Sequence, residues 1–339
     1  MIRKIILALA LALTGAAAEA RPVVAILADP SGVETTDLTA PYAIMAASGA
    51  VDVRVVSPSL APAPLMPGMA WVKPQETYAS FAKRYPAGPD MIIVPFLMDA
   101  KNPERAAWLK AQAARGARIV SICDGAMVLA EAGLLDGRSA TAHWASLGAR
   151  ERKFAKVKWR QDARWVTDGQ ITTTAGVSAS VPASLAMLEE LAGPAVMQDT
   201  ARRLRLTPEG RLHDASVYRL NGEAMSTAAG AAVAFLGRQQ VAVELKDGFD
   251  ELAFGSVLDG WTRTYRAKAW AVAPAGGATS RGGLTILAAE RLPRFSRQIP
   301  LPATDPMDAM LGQVRAAYGP ASARFVALQL EHPLWQAAR

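Results

Sequence analysis

Most of the chemistry open to this sequence rests on one sulfur. Cys123 is the single cysteine among 339 residues, and it lies in the stretch Arg118-Ile119-Val120-Ser121-Ile122-Cys123-Asp124-Gly125-Ala126-Met127. The apolar run before it reads as a strand and the residues after it as a helix. The cysteine therefore occupies the sharp turn between them, with Ser121 and Gly125 small on either side, which is the layout of a nucleophile elbow. Such a turn holds its side chain at the carboxyl edge of a parallel sheet, where open α/β sheets bind ligands. It also places the sulfur beside a helix N-terminus, whose positive end favours thiolate. A buried, inert thiol fits the same spacing equally well. Asp124 cuts the other way: a carboxylate beside the thiol raises its pKa, whereas as a helix N-terminal acid it simply adds roughly 0.3–1 kcal/mol to the helix. A lone cysteine excludes an internal disulfide and a cysteine-rich zinc site, and three histidines leave little for a histidine-rich one. No metal or cofactor is expected.

The elements that must position Cys123 follow from short apolar runs alternating with amphipathic stretches. Strands are predicted at Val23 to Leu27, Val51 to Val56, Met91 to Val94, Arg118 to Ile122 and Ile171 to Thr174. Between them the pattern predicts helices at Pro41 to Ala47 (opening on its proline and ending near Gly49), Pro103 to Ala114, Ala126 to Ala132 and Val181 to Leu191. Strands apolar on both faces, alternating with helices, give a doubly wound parallel sheet covered on both sides. Residues 205–240 are less regular and read as a connector. Beyond it the chain begins again: Val241 to Leu245, Asp247-Gly248 and Asp250 to Leu252 echo the region from Val23 to Leu38, and Ala267 to Pro274 echoes Val51 to Pro58. This self-similarity predicts a partial internal duplication. The second copy, residues 241–339, lacks a strand-cysteine-helix element and carries Ala253 where the first has Asp37, so one chemical site is expected.

Several separated motifs make residues 21–204 resemble the ThiJ/PfpI superfamily, which has the class I glutamine-amidotransferase-like fold. They are Val33-Glu34-Thr35-Thr36-Asp37-Leu38-Thr39-Ala40-Pro41-Tyr42, Cys123-Asp124-Gly125-Ala126, Leu129 to Arg138, Ala140-Thr141-Ala142-His143-Trp144 and Thr174 to Ser180. The nearest branch is the one holding isonitrile hydratases and the amidase-like domains of AraC-type regulators. No helix-turn-helix segment is evident after residue 204, so no nucleic-acid partner is expected. The resemblance implies a flavodoxin-like sheet, a reactive Cys123 and an acidic partner on the first loop, at Asp37. It also implies hydratase, amidase or glyoxalase-like chemistry on a small-molecule substrate, or else ligand binding or redox sensing without turnover. His143, placed on the strand after the elbow helix, is a candidate second base or a structural histidine. In a hydratase, Cys123 would add to an electrophilic carbon, Asp37 would shuttle the proton, and the backbone N–H after the nucleophile would steady negative charge. Three positions depart from the branch. Asp124 replaces a threonine or histidine, Phe96-Leu97 replace a glycine-rich oxyanion turn and are expected to fill or reshape the pocket, and Val181-Pro182 replace an acidic position. His213 and His332 match no catalytic position.

Residues 1–20 have Arg3 and Lys4, an apolar run from Ile5, and Ala18-Glu19-Ala20, which is the layout of a secretory signal peptide. The run is shorter than the ~20 residues needed to span a bilayer. The mature protein is expected to be periplasmic or secreted, without stable membrane insertion. The formal charge of +7 is scattered rather than clustered, which suits solubility more than nucleic-acid binding. A repeat that covers a pairing surface predicts a monomer, with a homodimer as the other possibility.

Overall fold

The computed structural model describes residues 20–234 and 237–336, so the expected signal peptide, Ala20 apart, lies outside the described residues. A seven-stranded sheet forms the centre of the first copy. In chain order the elements are β1 (Val23–Leu27), β2 (Val33–Glu34), α1 (Thr35–Ser48), β3 (Asp52–Ser57), β4 (Ala63–Met66), β5 (Trp71–Val72), β6 (Glu76–Thr77), α2 (Tyr78–Arg84), β7 (Met91–Val94) and α3 (Pro103–Ala114). Then come β8 (Arg118–Ser121), α4 (Gly125–Glu131), β9 (Ser139–Ala140), α5 (Leu147–Lys153), β10 (Lys158–Trp159), β11 (Trp165–Asp168), β12 (Ile171–Thr174), α6 (Ser180–Ala192) and α7 (Pro194–Leu204). The strand order is β11-β12-β8-β7-β1-β3-β6, parallel except for β11. Every residue of β7 and all but the first of β1 and β8 are buried, as expected for central strands covered on both faces.

Helix α1 begins earlier than the sequence pattern suggests. Glu34, at the N-cap, accepts the Asp37 N–H, so the helix starts at Thr35 and Pro41 falls inside it. Pro41 has no N–H to give to the carbonyl one turn back, a loss that packing must offset. The helix is buried from Thr35 to Met45, so there is little amphipathic period to read. Asp37 consequently sits in the first turn of a helix and not on a loop. Gly49 closes the helix in the left-handed region at φ 64°, as its position implied.

The second copy rebuilds part of this plan. β13 (Gln239–Glu244), α9 (Glu251–Arg263) and β14 (Ala267–Val272) reproduce β1, α1 and β3, with β13 and β14 paired in parallel. β15 (Gly277–Thr279) and β16 (Thr285–Leu287) form a hairpin like β4 and β5, and β17 (Arg297–Gln298) pairs with β13 as β7 pairs with β1. The last helix, α10 (Pro306–Leu330), is kinked at Gly319-Pro320, the counterpart of the Gly193-Pro194 break between α6 and α7. Gly193 has φ/ψ 85°/164° and Gly319 has 84°/170°, and the helices beyond them end on left-handed Arg205 and Glu331. The duplication therefore keeps both ends of the fold and omits the elbow strand and helix. The connector holds more structure than its sequence suggests: α8 (Gly222–Ala234) lies within it and packs against α10. Among the described residues no helix is long and apolar enough to cross a membrane.

The two copies meet through α1 and α9. Counted from the N-caps Glu34 and Asp250, Thr39 and Gly255 hold the same position, and they face each other across the crossing. A Cβ at Gly255 would stand 1.9 Å from the Thr39 Oγ1. The sheets join as well: β16 pairs with β5, and Met69 exchanges backbone bonds with Ala269 and Ala271 at 2.9 and 3.0 Å. Gly255→Val should overpack the crossing and cost about 1–3 kcal/mol, read as a lower urea midpoint. Gly312→Ala, in α10 with open space around it, should leave the midpoint unchanged or raise it, by up to ~1 kcal/mol. Equal midpoints for Gly255→Val and the wild type would contradict this packing.

Candidate active site

The turn after β8 is an elbow. Cys123 has φ 56°, a left-handed conformation that residues with a Cβ seldom adopt. Its N–H donates to Thr174 Oγ1 at 3.2 Å, tying the turn to the end of β12. Gly125 is required where it stands, because a Cβ there would lie 2.1 Å from the Val94 carbonyl oxygen. Its own N–H closes the turn onto the Ile122 carbonyl at 2.8 Å, so Gly125 is not available to an oxyanion. The Asp124 N–H serves the Cys123 sulfur instead, where its hydrogen bond favours the thiolate.

Cys123 is 6% exposed and forms part of the wall of a cavity of about 220 Å³. Glu34, Met66, Pro67, Phe96, Asp124, His143, Val177 and Arg263 complete the lining. Burial pushes the thiol well above its ordinary range, and the neighbouring carboxylates of Asp37, Asp124 and Glu34 push it further, opposed by the Asp124 N–H. The helix terminus does not win: at neutral pH the sulfur carries its proton.

Asp37 is fully buried and does not line the cavity; Glu34 is the carboxyl of this pair that does. The Phe96 N–H donates to Asp37 Oδ2 at 3.1 Å, and Oδ1 has no hydrogen-bond partner among the described residues. Burial raises the Asp37 carboxyl to about 7, against the pull of the Phe96 N–H and a hydrogen bond with the Glu34 carboxyl. Burial also raises Glu34 well above the carboxylate range, helped by Asp259 and Asp37 and opposed by Arg263. Neighbouring buried carboxyls raised in this way keep a proton at a pH where exposed carboxyls have lost theirs.

The other predicted positions divide. Phe96 does shape the cavity, but its N–H serves Asp37 and its carbonyl accepts from Glu34 N at 2.9 Å, so it supplies no second oxyanion donor. Leu97 is fully buried beside Val33 and stays out of the cavity, because the bridge between those two residues turns it into the core. Asp124 lines the cavity, yet Ser146 Oγ donates to its carboxylate at 2.7 Å. Burial raises Asp124 while His143, Ser146 and Arg150 pull it down. His143 lies in the loop beyond β9, not on a strand. Its Nδ1 accepts from Ala145 N at 3.2 Å and its Nε2 lies 2.9 Å from the Gln329 carbonyl. With Nδ1 taking a backbone N–H, Nε2 is the nitrogen that donates to the Gln329 carbonyl. Both nitrogens are thus occupied, and His143 presents its ring to the cavity without a free lone pair.

Four residues without an assigned role in the sequence prove central. Glu34 was visible only as the residue one helical turn before Asp37. Asp259 and Arg263 come from α9: Arg263 pairs with Glu34 Oε1 at 2.8 Å and with Asp259 Oδ1 at 2.5 Å, and Thr36 Oγ1 donates to Asp259 Oδ2 at 3.0 Å. The available signal is an acid and an arginine four residues apart in the last turns of a mostly apolar helix. Glu331, at the end of α10, accepts from Trp144 N, from Gly176 N at 2.9 Å and from His213 at 3.0 Å, and so clamps two loops of the first copy. Burial pushes its carboxyl up, but the His213 hydrogen bond, the electrostatic pull of His143 and the Gly176 N–H outweigh burial and hold it below the usual range.

The DJ-1/PfpI family profile matches residues 22–190. An isonitrile hydratase of Pseudomonas putida is 32% identical over 189 residues, which cover 52% of this chain and 74% of that protein. The chain belongs to the DJ-1/PfpI family. The helix-turn-helix transcriptional regulator CdhR of Pseudomonas aeruginosa is 36% identical over 95 residues, 28% of each chain, so little more than a quarter of that regulator is matched. Among solved structures, a ThiJ/PfpI family protein from Pseudomonas syringae aligns with a TM-score of 0.52 and 24% identity over 63% of this chain and 86% of that one, a likeness of fold.

The raised carboxyl sets a pH dependence of stability. An acid whose folded pKa lies above its unfolded value favours folding fully below the unfolded value, here 3.8, and loses that contribution as pH rises through the folded one, about 7. The stability gained by Asp37→Asn over the wild type should therefore grow across that window and then level off, measured by urea midpoints at a series of pH values. A difference independent of pH would contradict the assignment. Glu331→Ala, which strips a buried partner from His213 and frees two loops, should cost about 3–5 kcal/mol by the same measurement.

Proposed function

We propose that this protein is a cysteine-dependent hydratase or hydrolase of a small neutral electrophile, with isonitriles as the first class to test. The observation that carries the reading is the placement of Cys123, at a left-handed elbow on a cavity wall, with the Glu34–Asp37 carboxyl pair beside it. Similarity to an isonitrile hydratase supports the choice of substrate class. The charge of the site supports a neutral one. Three buried carboxyls, Glu34, Asp37 and Asp259, already outnumber the single Arg263, so an anionic ligand would meet repulsion. Met66, Pro67, Phe96 and Val177 suit an apolar substituent.

On an isonitrile the steps balance with water alone. The thiol gives its proton to the Glu34–Asp37 pair, which meets the cavity through Glu34, and the pKa of about 7 at Asp37 lets the pair both accept and return protons at neutral pH. The proton is delivered to the terminal carbon as the Cys123 sulfur bonds to it, forming a thioimidate. Water, deprotonated by the carboxyl pair, adds to that carbon. The carbon–sulfur bond then breaks, the nitrogen and the sulfur end protonated, and an N-substituted formamide leaves. The Asp124 N–H steadies negative charge that develops near the sulfur.

Redox sensing fits less well, because oxidation begins from an exposed thiolate and Cys123 is buried with a raised pKa. Export is part of the proposal, supported by Arg3, Lys4, the apolar run and Ala18-Glu19-Ala20. N-terminal sequencing of the protein recovered from the extracytoplasmic fraction should begin at Arg21. In a screen of isonitriles, α-oxoaldehydes and small amides, Cys123→Ala should abolish turnover, and Asp37→Asn should lower kcat by roughly 10²–10⁴. Turnover unchanged in Cys123→Ala would overturn the reading.

A further inference from the structure

The second copy has no nucleophile, yet it reaches the site. Arg263, the last residue of α9, contributes to the cavity wall with its side chain 17% exposed. It faces four groups that titrate or carry charge. Glu34, from the end of β2, and Asp259, one turn earlier on α9, are its ion-pair partners; Asp37 of α1 and Cys123 of the elbow interact with it electrostatically. Its backbone is fixed too: the Arg263 carbonyl accepts from Gln329 Nε2 at 2.9 Å, and the Gln329 carbonyl is the partner of His143 Nε2.

We propose that Arg263, donated by the non-catalytic repeat, is a positioning residue for the chemistry at Cys123. Its guanidinium clamps Glu34 against Asp259 and brings a positive charge to the carboxyl cluster, while Arg150 serves Asp124 on the other side of Cys123. It thereby sets where the proton resides and how readily the thiol gives up its own. The second copy is on this account half of the site, supplying in one chain the surface and the charge that the first copy lacks. The inference rests on Cys123 and the Glu34–Asp37 pair being the reacting groups.

Asp259 gives the proposal a signature of sign. Removing Arg263 leaves the carboxylates uncompensated and makes every neighbouring proton harder to remove; removing the Asp259 charge makes them easier to remove. Arg263→Gln should therefore raise the apparent pKa of Cys123, measured as the alkylation rate by neutral iodoacetamide against pH. A shift of one unit or more is typical for a close charge, which at fixed pH below the midpoint is about tenfold slower alkylation. Asp259→Asn should shift the profile the opposite way, and Arg263→Lys should restore most of the wild-type profile. If hydration is observed, its pH–rate profile should move in the same directions, with kcat affected more than KM. Profiles of Arg263→Gln and Asp259→Asn that both coincide with the wild type would overturn the proposal, and so would shifts of the same sign. Should Arg263→Gln fail to fold, Asp259→Asn and Arg263→Lys still decide it by direction. Because alkylation needs no substrate, opposed shifts in a protein with no turnover would sustain the positioning role while removing the hydratase reading.

Discussion

The close crossing of α1 and α9 is the constraint on which the rest of the structure depends. Helices approach this closely only where a side chain is missing, and Gly255 provides that gap against Thr39. Because the crossing lies one turn beyond the N-caps, it brings the first turn of α1, with Glu34, Thr36 and Asp37, under the far end of α9, with Asp259 and Arg263. The burial that raises the carboxyls and the arginine that limits the rise are consequences of the same contact. Fold and electrostatics are therefore not separable at this site.

A second contact completes the enclosure from the opposite end of the repeat. The left-handed stop at Glu331 turns the end of α10 into the first copy, where Gln329 and Glu331 together bind His143, Trp144, Gly176 and Ser178. In the first copy the equivalent stop, Arg205, simply ends a helix whose arginines pair with Asp199 on the surface. One backbone geometry thus serves two ends: a solvent-facing terminus in one copy and a clamp on the cavity in the other. The second copy has counterparts of the elements that dock and none of the elbow strand and helix.

The sequence exposed the parts whose physics is local. Apolar runs mark the parallel strands, Gly49 marks a helix end, and small residues around Cys123 mark the elbow, all because each depends on neighbours in the chain. The start of α1 was hidden, since a helix buried nearly all round has no polar face to give it a period, and Pro41 suggested a beginning where there was none. Leu97 was read as a pocket residue because nothing local shows which way a loop turns; its bridge to Val33 does. The site itself was half legible. Cys123 and Asp37 carry family motifs, but Arg263, Asp259 and Glu331 act on the first copy across more than a hundred residues of chain. Only the partial repeat hinted that such contacts exist.

Sealed from water by the second copy, the Glu34–Asp37 carboxyl pair keeps a proton at neutral pH. Infrared difference titration reads that proton directly, through the carbonyl stretch of a protonated carboxyl group. The account predicts a band that disappears with a midpoint near 7, the value set for Asp37 by its burial, and that is altered in Glu34→Gln as well as in Asp37→Asn. Complete ionisation of both carboxyls well below that pH would contradict it.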